Sequence, residues 1–219
     1  LPTVAVRMPN HRAAKALITA AKTPIAAPSA NKFGKLSPTN AHHVLKQLKN
    51  VDYIIDDGNT QIGIESTVIA LNEEGFRILR PGVVTKQELA LLIPHIESKF
   101  FIQERGLQSP GLLKSHYSPR IPLYILGEHQ ADINGKKIGY LTYGANKEKN
   151  SDCVTENLSP TGNINEAATN LYSALHKLEE SGAEIILAEP VPENGIGIAI
   201  MDRLRKAAAK SDKSTANTE

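Results

Sequence analysis

The 219-residue sequence has no tryptophan, one cysteine, and aromatic residues at only 5% of its positions. The single cysteine, Cys153, excludes a disulfide within the chain and favours a reducing compartment such as the cytoplasm. The scarcity of aromatic rings argues against a surface that stacks on sugars or single-stranded nucleic acid. No apolar run approaches the roughly 20 residues that a membrane-spanning helix needs. The net charge of +2 does not by itself indicate a nucleic-acid-binding protein.

The alternation of apolar and polar residues in the first half predicts strands, helices and a hairpin. The predicted strands are residues 4–6, 25–27 and 53–55, and residues 66–71 and 76–79 form the predicted hairpin. The predicted helices are 11–21, a helix capped by Thr39 or Asn40 that runs to residue 48, and a helix capped by Thr85. Val44, Leu45 and Leu48 are the expected inner face of the second helix.

The second half has the pattern of a small parallel α/β unit. Its predicted strands are 123–126, 137–141 and 184–188, and its predicted helices are 164–181 and 197–209. The predicted organisation is a first domain at 1–97, a linker at 98–120, a second domain at 121–209 and a disordered tail at 210–219.

Small polar residues follow the predicted strand at 25–27, in the stretch TPIAAPSANKFGKLSPTNAHHV. Ligands of open α/β sheets collect at the carboxyl ends of strands, where Ser29 and Asn31 would lie. Ser37 leads into a helix N-terminus, whose free N–H groups suit phosphate. A plain polar loop with a helix cap explains the same spacing.

Two further segments carry residues suited to an anionic ligand. GIEST at 63–67 offers the hydroxyls of Ser66 and Thr67, and Arg80 precedes a Pro-Gly turn at the end of a predicted strand, as Arg7 precedes Pro9. The alternatives are ordinary strand residues for GIEST and a surface ion pair for Arg80. The sequence lacks a P-loop, a GxGxxG fingerprint and a GxSxG elbow.

The segment KSHYSPR places His116 and Tyr117 in the predicted linker, where they either pack on a domain or contact a ligand. A metal site is not expected, because His42 and His43 are adjacent on a helix and their side chains diverge.

Together these segments resemble one family. TVAVRMP, PIAAPSANKFGKLSPT, IIDDGNTQIGIESTVIAL, ILRPGVVT and SPGLLKSHYSPRIPLYIL occur in this order in the Sua5 branch of the YrdC/Sua5 family, the threonylcarbamoyl-AMP synthases. The resemblance covers residues 2–209. It implies an α/β fold with a partial YrdC-like twisted α/β domain, followed by a linker and a small Rossmann-like Sua5 domain.

The resemblance also implies an activity, that of a nucleotidyltransferase. Such enzymes make L-threonylcarbamoyladenylate and pyrophosphate from L-threonine, bicarbonate and ATP, with Mg²⁺ bound through the phosphates. The product is passed to the tRNA threonylcarbamoyltransferase, which makes N6-threonylcarbamoyladenosine in tRNAs that read codons beginning with A. A weak or transient contact with tRNA, a cytoplasmic location and no membrane partner are expected.

The resemblance assigns site residues by motif. The residues expected to bind ATP are Thr3, Ser29, Asn31, Ser37, Arg80, His116 and Tyr117. The residues expected to bind threonine are Arg7, Ala27 and Ser66, with Arg7 on the threonine carboxylate. No residue is assigned as a catalytic nucleophile, because such a site works by holding reactants together and neutralising charge.

The sequence lacks the first part of the family's YrdC domain, including a basic Lys-x-Arg motif that grips phosphate. We therefore expect these 219 residues alone to bind ATP poorly and not to form the adenylate. Two other functions stay open: a YrdC-like module that binds a nucleotide or RNA without catalysis, and a carbamoyltransferase-type enzyme. The HYSP segment and the Sua5-like second half argue against the carbamoyltransferase.

Overall fold

The fold is given by a computed structural model that describes residues 4–94, 116–145 and 153–208. The helices are α1 Arg12–Ala21, α2 Ala41–Gln47, α3 Lys86–Ala90, α4 Ile164–Glu180 and α5 Gly197–Ala208. The strands are β1 Val68–Asn72, β2 Gly75–Arg80, β3 Leu123–Ile125, β4 Ile138–Thr142, β5 Val154–Asn157 and β6 Ile185–Ala188.

The second half is built on a four-stranded parallel sheet in the order β3-β6-β4-β5. All four residues of β6, at an interior position of the sheet, are buried. This is expected of a parallel strand covered on both faces. The expected α/β fold with a parallel sheet is confirmed.

Helix α4 supplies much of the core of this unit. The Asn163 side chain caps its N-terminus by accepting the backbone N–H groups of Asn165 and Glu166, and Gly182 follows its end with a φ of 81°. Its apolar side chains recur at helical spacing, so one face is buried; these buried apolar residues are Ala167, Ala168, Leu171, Tyr172, Ala174, Leu175 and Leu178.

The first half contains the antiparallel hairpin β1–β2, as predicted. Its turn forms because the Asn72 side-chain oxygen accepts the backbone N–H groups of Glu74 and Gly75. Arg80 is the last residue of β2, which confirms its place at a strand end. Helix α3 begins with a capping box in which Thr85 and Glu88 satisfy each other's backbone N–H groups.

Three predicted strands, at 4–6, 25–27 and 53–55, are wrong, because residues 4–94 contain no strands besides β1 and β2. A strand needs a hydrogen-bonded neighbour, and apolar alternation indicates a strand only where its side chains are covered. Here Val6 is 89% exposed and Tyr53 is 93% exposed. The inner face predicted for α2 is wrong for Leu45, which is exposed, whereas Val44 and Leu48 are half-buried and the fully buried residue is His43.

Three further expectations fall partly or wholly outside the described residues: Thr3, most of the linker, and the tail at 210–219. Within the described ranges, no helix has the length and apolar character required to cross a membrane.

Candidate functional site

The GIEST segment and the Arg80 turn meet through the hairpin. The pairing of β1 with β2 sets Val68 opposite Arg80, which brings the residues before β1 beside the end of β2. The buried Arg80 guanidinium then donates from Nε to the Ser66 carbonyl oxygen at 3.0 Å, and from Nη2 to Ser66 Oγ at 3.3 Å. A cationic fork is thereby fixed beside a hydroxyl, a combination that suits a carboxylate or phosphate.

Two glycines let these segments approach their neighbours closely. A Cβ at Gly63 would lie 2.0 Å from the carbonyl oxygen of Thr169 in α4. A Cβ at Gly82 would lie 2.3 Å from the backbone nitrogen of Thr67. GIEST is therefore in direct backbone contact with α4 and with the turn after Arg80.

Glu65, in the middle of GIEST, joins several parts of the chain. Its carboxylate accepts hydrogen bonds from the Ser37 hydroxyl, from Tyr172 OH at 3.1 Å and from Arg203 Nε at 3.0 Å. Burial alone would raise the pKa of Glu65, but the Arg203 guanidinium and the Ser37 hydroxyl hold that pKa below its ordinary value. Glu65 is therefore a half-buried, ionised acceptor.

Arg203 lies on α5, and only 1% of the residue is exposed. Besides Glu65, it contacts the Pro81 carbonyl oxygen and the Asp202 carboxylate through Nη1, at 2.7 and 2.9 Å. Its guanidinium carbon lies 5.5 Å from the centre of the Tyr117 ring, within cation–π range. Burial acts to lower the pKa of Arg203, but Glu65 and the two neighbouring tyrosines keep it raised.

The HYSP segment is seated between the first half and α5. Ser118 donates its backbone N–H to the Gly34 carbonyl oxygen at 2.9 Å, and His116 donates its own to Lys206 at 3.1 Å. Tyr117 is buried with a left-handed backbone, φ 61°, which is uncommon for a residue other than glycine.

Burial and Glu65 raise the pKa of Tyr117, and burial lowers the pKa of His116. The His116 ring stands edge-on to the Tyr117 ring at 4.0 Å and to the exposed Phe33 ring at 6.1 Å. Both predicted linker residues therefore pack against the two halves of the described chain.

The other predicted site residues have more varied places. Asn31 donates to the carbonyl oxygens of Lys32 and Lys35, so its amide shapes its own loop. Arg7, Ala27 and Ser29 are exposed. In the ranges 4–94, 116–145 and 153–208, no hydrogen bond joins Arg7 or Ser29 to the cluster around Glu65. Their binding roles stay predictions, as do those of the clustered Ser37, Ser66, Arg80 and Tyr117.

Sequence reasoning missed Glu65, Tyr172 and Arg203. Glu65 lies within the GIEST segment, where a single carboxylate among small residues was the feature that could have indicated a structural role. Tyr172 and Arg203 have no local signal, because they lie 107 and 138 residues from Glu65. Among the described residues, no group of three or more His, Cys, Asp or Glu side chains could hold a metal ion.

Comparisons with known proteins identify the family of the chain. Residues 84–209 match the family model described as threonylcarbamoyl-AMP synthase, C-terminal domain. The chain belongs to the Sua5 family. Residues 1–82 match a second family model, of the Sua5, YciO and YrdC proteins, described as telomere recombination.

Curated members of the Sua5 family resemble the chain along most of its length. The threonylcarbamoyl-AMP synthase of Bacillus subtilis is 37% identical over 222 residues, which are 95% of this chain and 64% of the relative. The protein of the same name from Pyrococcus abyssi is 37% identical, with the same two coverages. The chain therefore spans slightly less than two thirds of the length of these relatives.

Solved Sua5 structures have the same fold. P. abyssi Sua5 in complex with L-threonine superposes with a TM-score of 0.80 at 38% identity, covering 95% of this chain and 64% of that one. A P. abyssi Sua5 variant, with a histidine and the following tyrosine replaced by alanine, gives a TM-score of 0.78 at 35% identity over 95% of this chain and 63% of that one.

Proposed function

We propose that this chain is the Sua5-type part of a threonylcarbamoyl-AMP synthase, a cytoplasmic nucleotidyltransferase. The reaction joins L-threonine, bicarbonate and ATP into L-threonylcarbamoyladenylate: the threonine amine and bicarbonate form a carbamate with loss of water, and the carbamate displaces pyrophosphate from ATP. The observation that carries the proposal is the buried Arg80 guanidinium held on Ser66, within motifs that match relatives of this name. ATP and bicarbonate are anions, and threonine, although neutral overall, carries a carboxylate.

The residues act by binding and orientation. Arg80, with Ser29, Asn31, Ser37, Tyr117, His116 and Thr3, would hold the nucleotide. Arg7, Ala27 and Ser66 would hold threonine. The guanidinium beside Ser66 would stabilise negative charge that develops as the carbamate attacks the phosphate. The site needs no side-chain nucleophile, because aligned reactants supply the rate increase.

Two of these assignments carry a condition from the geometry. The Ser37 hydroxyl donates to Glu65, and the Asn31 amide donates to its own loop. A direct contact of either group with phosphate requires that these hydrogen bonds be exchanged. Mg²⁺ would bind through the ATP phosphates, since the described residues offer no ligand cluster. The adenylate would pass to the tRNA threonylcarbamoyltransferase, with at most a transient contact between this chain and tRNA.

The test measures pyrophosphate release and adenylate formation with threonine, bicarbonate and Mg-ATP. Two forms are compared: the 219-residue chain, and the same chain joined to the part of the Bacillus subtilis relative that it does not span. We expect no turnover from the first form, and from the second a turnover that needs all three substrates. In the joined form, Arg80→Ala should lower kcat/KM about 100-fold, because it removes a preorganised cation.

Arg120→Ala is the matched control, because the Arg120 side chain is exposed and pairs with Glu179 rather than with a residue of the candidate site, so turnover should stay unchanged. A joined form that is folded and binds ATP, yet releases no pyrophosphate, would contradict the proposal. In that case a strong gel shift with tRNA at moderate salt would favour the alternative of an RNA-binding module.

A further inference from the structure

Three motifs of the first half, together with the HYSP segment, are connected through one residue of α5. Arg203 contacts Glu65 of GIEST, Pro81 of the RPG turn and the ring of Tyr117. Glu65 in turn accepts a hydrogen bond from Ser37, the first residue of the SPT segment at 37–39.

The position of these contacts along the chain is informative. Glu65 directly precedes Ser66, and Pro81 directly follows Arg80. Arg203 therefore holds the immediate neighbours of the two residues whose guanidinium–hydroxyl pair is the centre of the candidate site. It does so from a helix of the second half, with its own guanidinium buried.

The use of an ion pair here has an energetic meaning. Desolvating a guanidinium and a carboxylate is costly, and a buried pair is often no more stabilising than apolar residues of the same volume. If α5 were needed only to pack against the first half, an apolar side chain such as methionine would serve as well. The guanidinium of arginine instead orients two segments, because its Nε and Nη1 atoms donate to separate acceptors, one on each segment.

We propose that Arg203 is a positioning residue, which fixes GIEST and the RPG turn relative to each other through Glu65 and the Pro81 carbonyl. The second half of the chain thus shapes the nucleotide and threonine site without contacting either ligand. This inference rests on the proposed function.

The first test uses the 219-residue chain and needs no substrate. Amide hydrogen exchange is followed in Arg203→Met, Arg203→Lys and Arg205→Met. We expect Arg203→Met to speed exchange at least tenfold in segments 36–39, 63–67 and 80–84, while β4 and β6 stay protected. Arg203→Lys should restore part of this protection, because an ammonium group reaches one acceptor but not both.

Arg205→Met is the control, because Arg205 lies two positions along α5 and pairs with Glu128 and Glu193 at the surface. It should leave the three segments unchanged. Exchange that rises equally in β4 and β6 would show a packing role alone and overturn the proposal, as would unchanged exchange in the three segments. If Arg203→Met does not fold, Glu65→Gln decides instead, since it removes the charge with little change of shape and should speed exchange in the same segments.

The second test measures kinetics in the joined form that makes the adenylate. Arg203→Met should raise the KM for ATP about tenfold with a much smaller change in kcat, because it loosens binding segments rather than a reacting group. Arg203→Lys should recover part of the affinity, and Arg205→Met should match the parent. If no form makes the adenylate, the proposed function fails while the exchange result still decides the role of Arg203.

Discussion

Among single residues, Gly63 sets how closely GIEST approaches α4. The carbonyl oxygen of Thr169 occupies the space that a side chain would need, 2.0 Å from an ideal Cβ. Both partners of this clash are backbone, so a rotamer change cannot relieve it. The Thr169 hydroxyl also lies between the two segments, 3.2 Å from the Gln61 carbonyl oxygen and 3.1 Å from the Asn165 carbonyl oxygen of its own helix.

We expect Gly63→Ala to lower the free energy of unfolding by about 1 to 3 kcal/mol, the usual cost of overpacking a close contact. Chemical denaturation followed by circular dichroism measures this change. Gln61→Ala is the control, since Gln61 is exposed and its backbone carbonyl is retained. A Gly63→Ala protein as stable as the control would show that the backbones separate without cost.

At this scale, short motifs were sufficient to single out Ser66 and Arg80, which the structure joins by hydrogen bonds, while their binding roles stay predictions. Short motifs were insufficient for Glu65 and Arg203, whose pairing depends on how α5 packs. A contact between residues 138 positions apart leaves no trace in local spacing. Periodicity predicted the helix but not which of its basic residues would be buried.

Among the elements, α2 and α4 are joined by two stacked histidines. The rings of His43 and His176 lie 3.8 Å apart and nearly parallel, at 24°. His43 Nδ1 accepts the Thr39 backbone N–H at 3.2 Å, and His176 Nε2 lies 3.1 Å from the Ser37 carbonyl oxygen. Each ring therefore fixes the backbone of the SPT segment.

The electrostatic surroundings keep this pair neutral. Burial, and then His176, lower the pKa of His43 to about 4, and burial lowers the pKa of His176. The charged and titratable side chains around the pair have opposite effects on these pKa values. Glu179 and Glu180 raise them, while Lys46 and His42 lower them.

We expect stability to fall as the pH is lowered from 6.5 towards 4. In that window the unfolded chain binds protons at both histidines more readily than the folded protein does, so protonation favours unfolding. Thermal unfolding midpoints at a series of pH values measure the loss. His176→Gln should reduce the pH dependence, because it removes one of the two titrating rings. Its amide can still donate a hydrogen bond to the Ser37 carbonyl oxygen, so the contact itself is kept.

His42→Gln is the comparison for this experiment, since His42 is exposed on the same helix. It should retain the pH dependence of the parent protein. A His176→Gln profile that follows the parent through the same pH window would assign the acid sensitivity to other groups.

The elements also show where sequence patterns are reliable. Helices α1 and α4 were predicted to within one residue at each end, because capping side chains and a long apolar stripe mark them locally. Strand β5 was missed, since an edge strand with the sequence VTEN has no apolar alternation. The three wrongly predicted strands show the reverse: they have apolar residues, but no neighbouring strand pairs with them in the described part of the chain.

For the whole molecule, the distribution of apolar surface is uneven. The second half buries its core residues almost completely, whereas Val4, Val6 and Met8 are 84 to 89% exposed. These three side chains stand at alternate positions of one short segment, so they offer apolar surface to water close together. Single exposed residues elsewhere, such as Leu71, are ordinary.

We expect the double substitution Val4→Lys and Val6→Lys to lower the fluorescence of the apolar dye ANS when it is mixed with the 219-residue chain. The unfolding midpoint should change little, because neither valine is packed. Leu71→Lys, at a lone exposed leucine, should lower the dye signal much less. Equal effects of the two changes would mean that residues 4–8 present no continuous apolar surface.

The contact between Arg203 and the RPG turn also bears on how the gene can be divided. The two family matches end at residue 82 and begin at residue 84, which suggests a natural place to cut. A cut there would leave a buried guanidinium on one fragment and its carboxylate partner on the other. We therefore expect the separately expressed halves each to be less stable than the undivided chain.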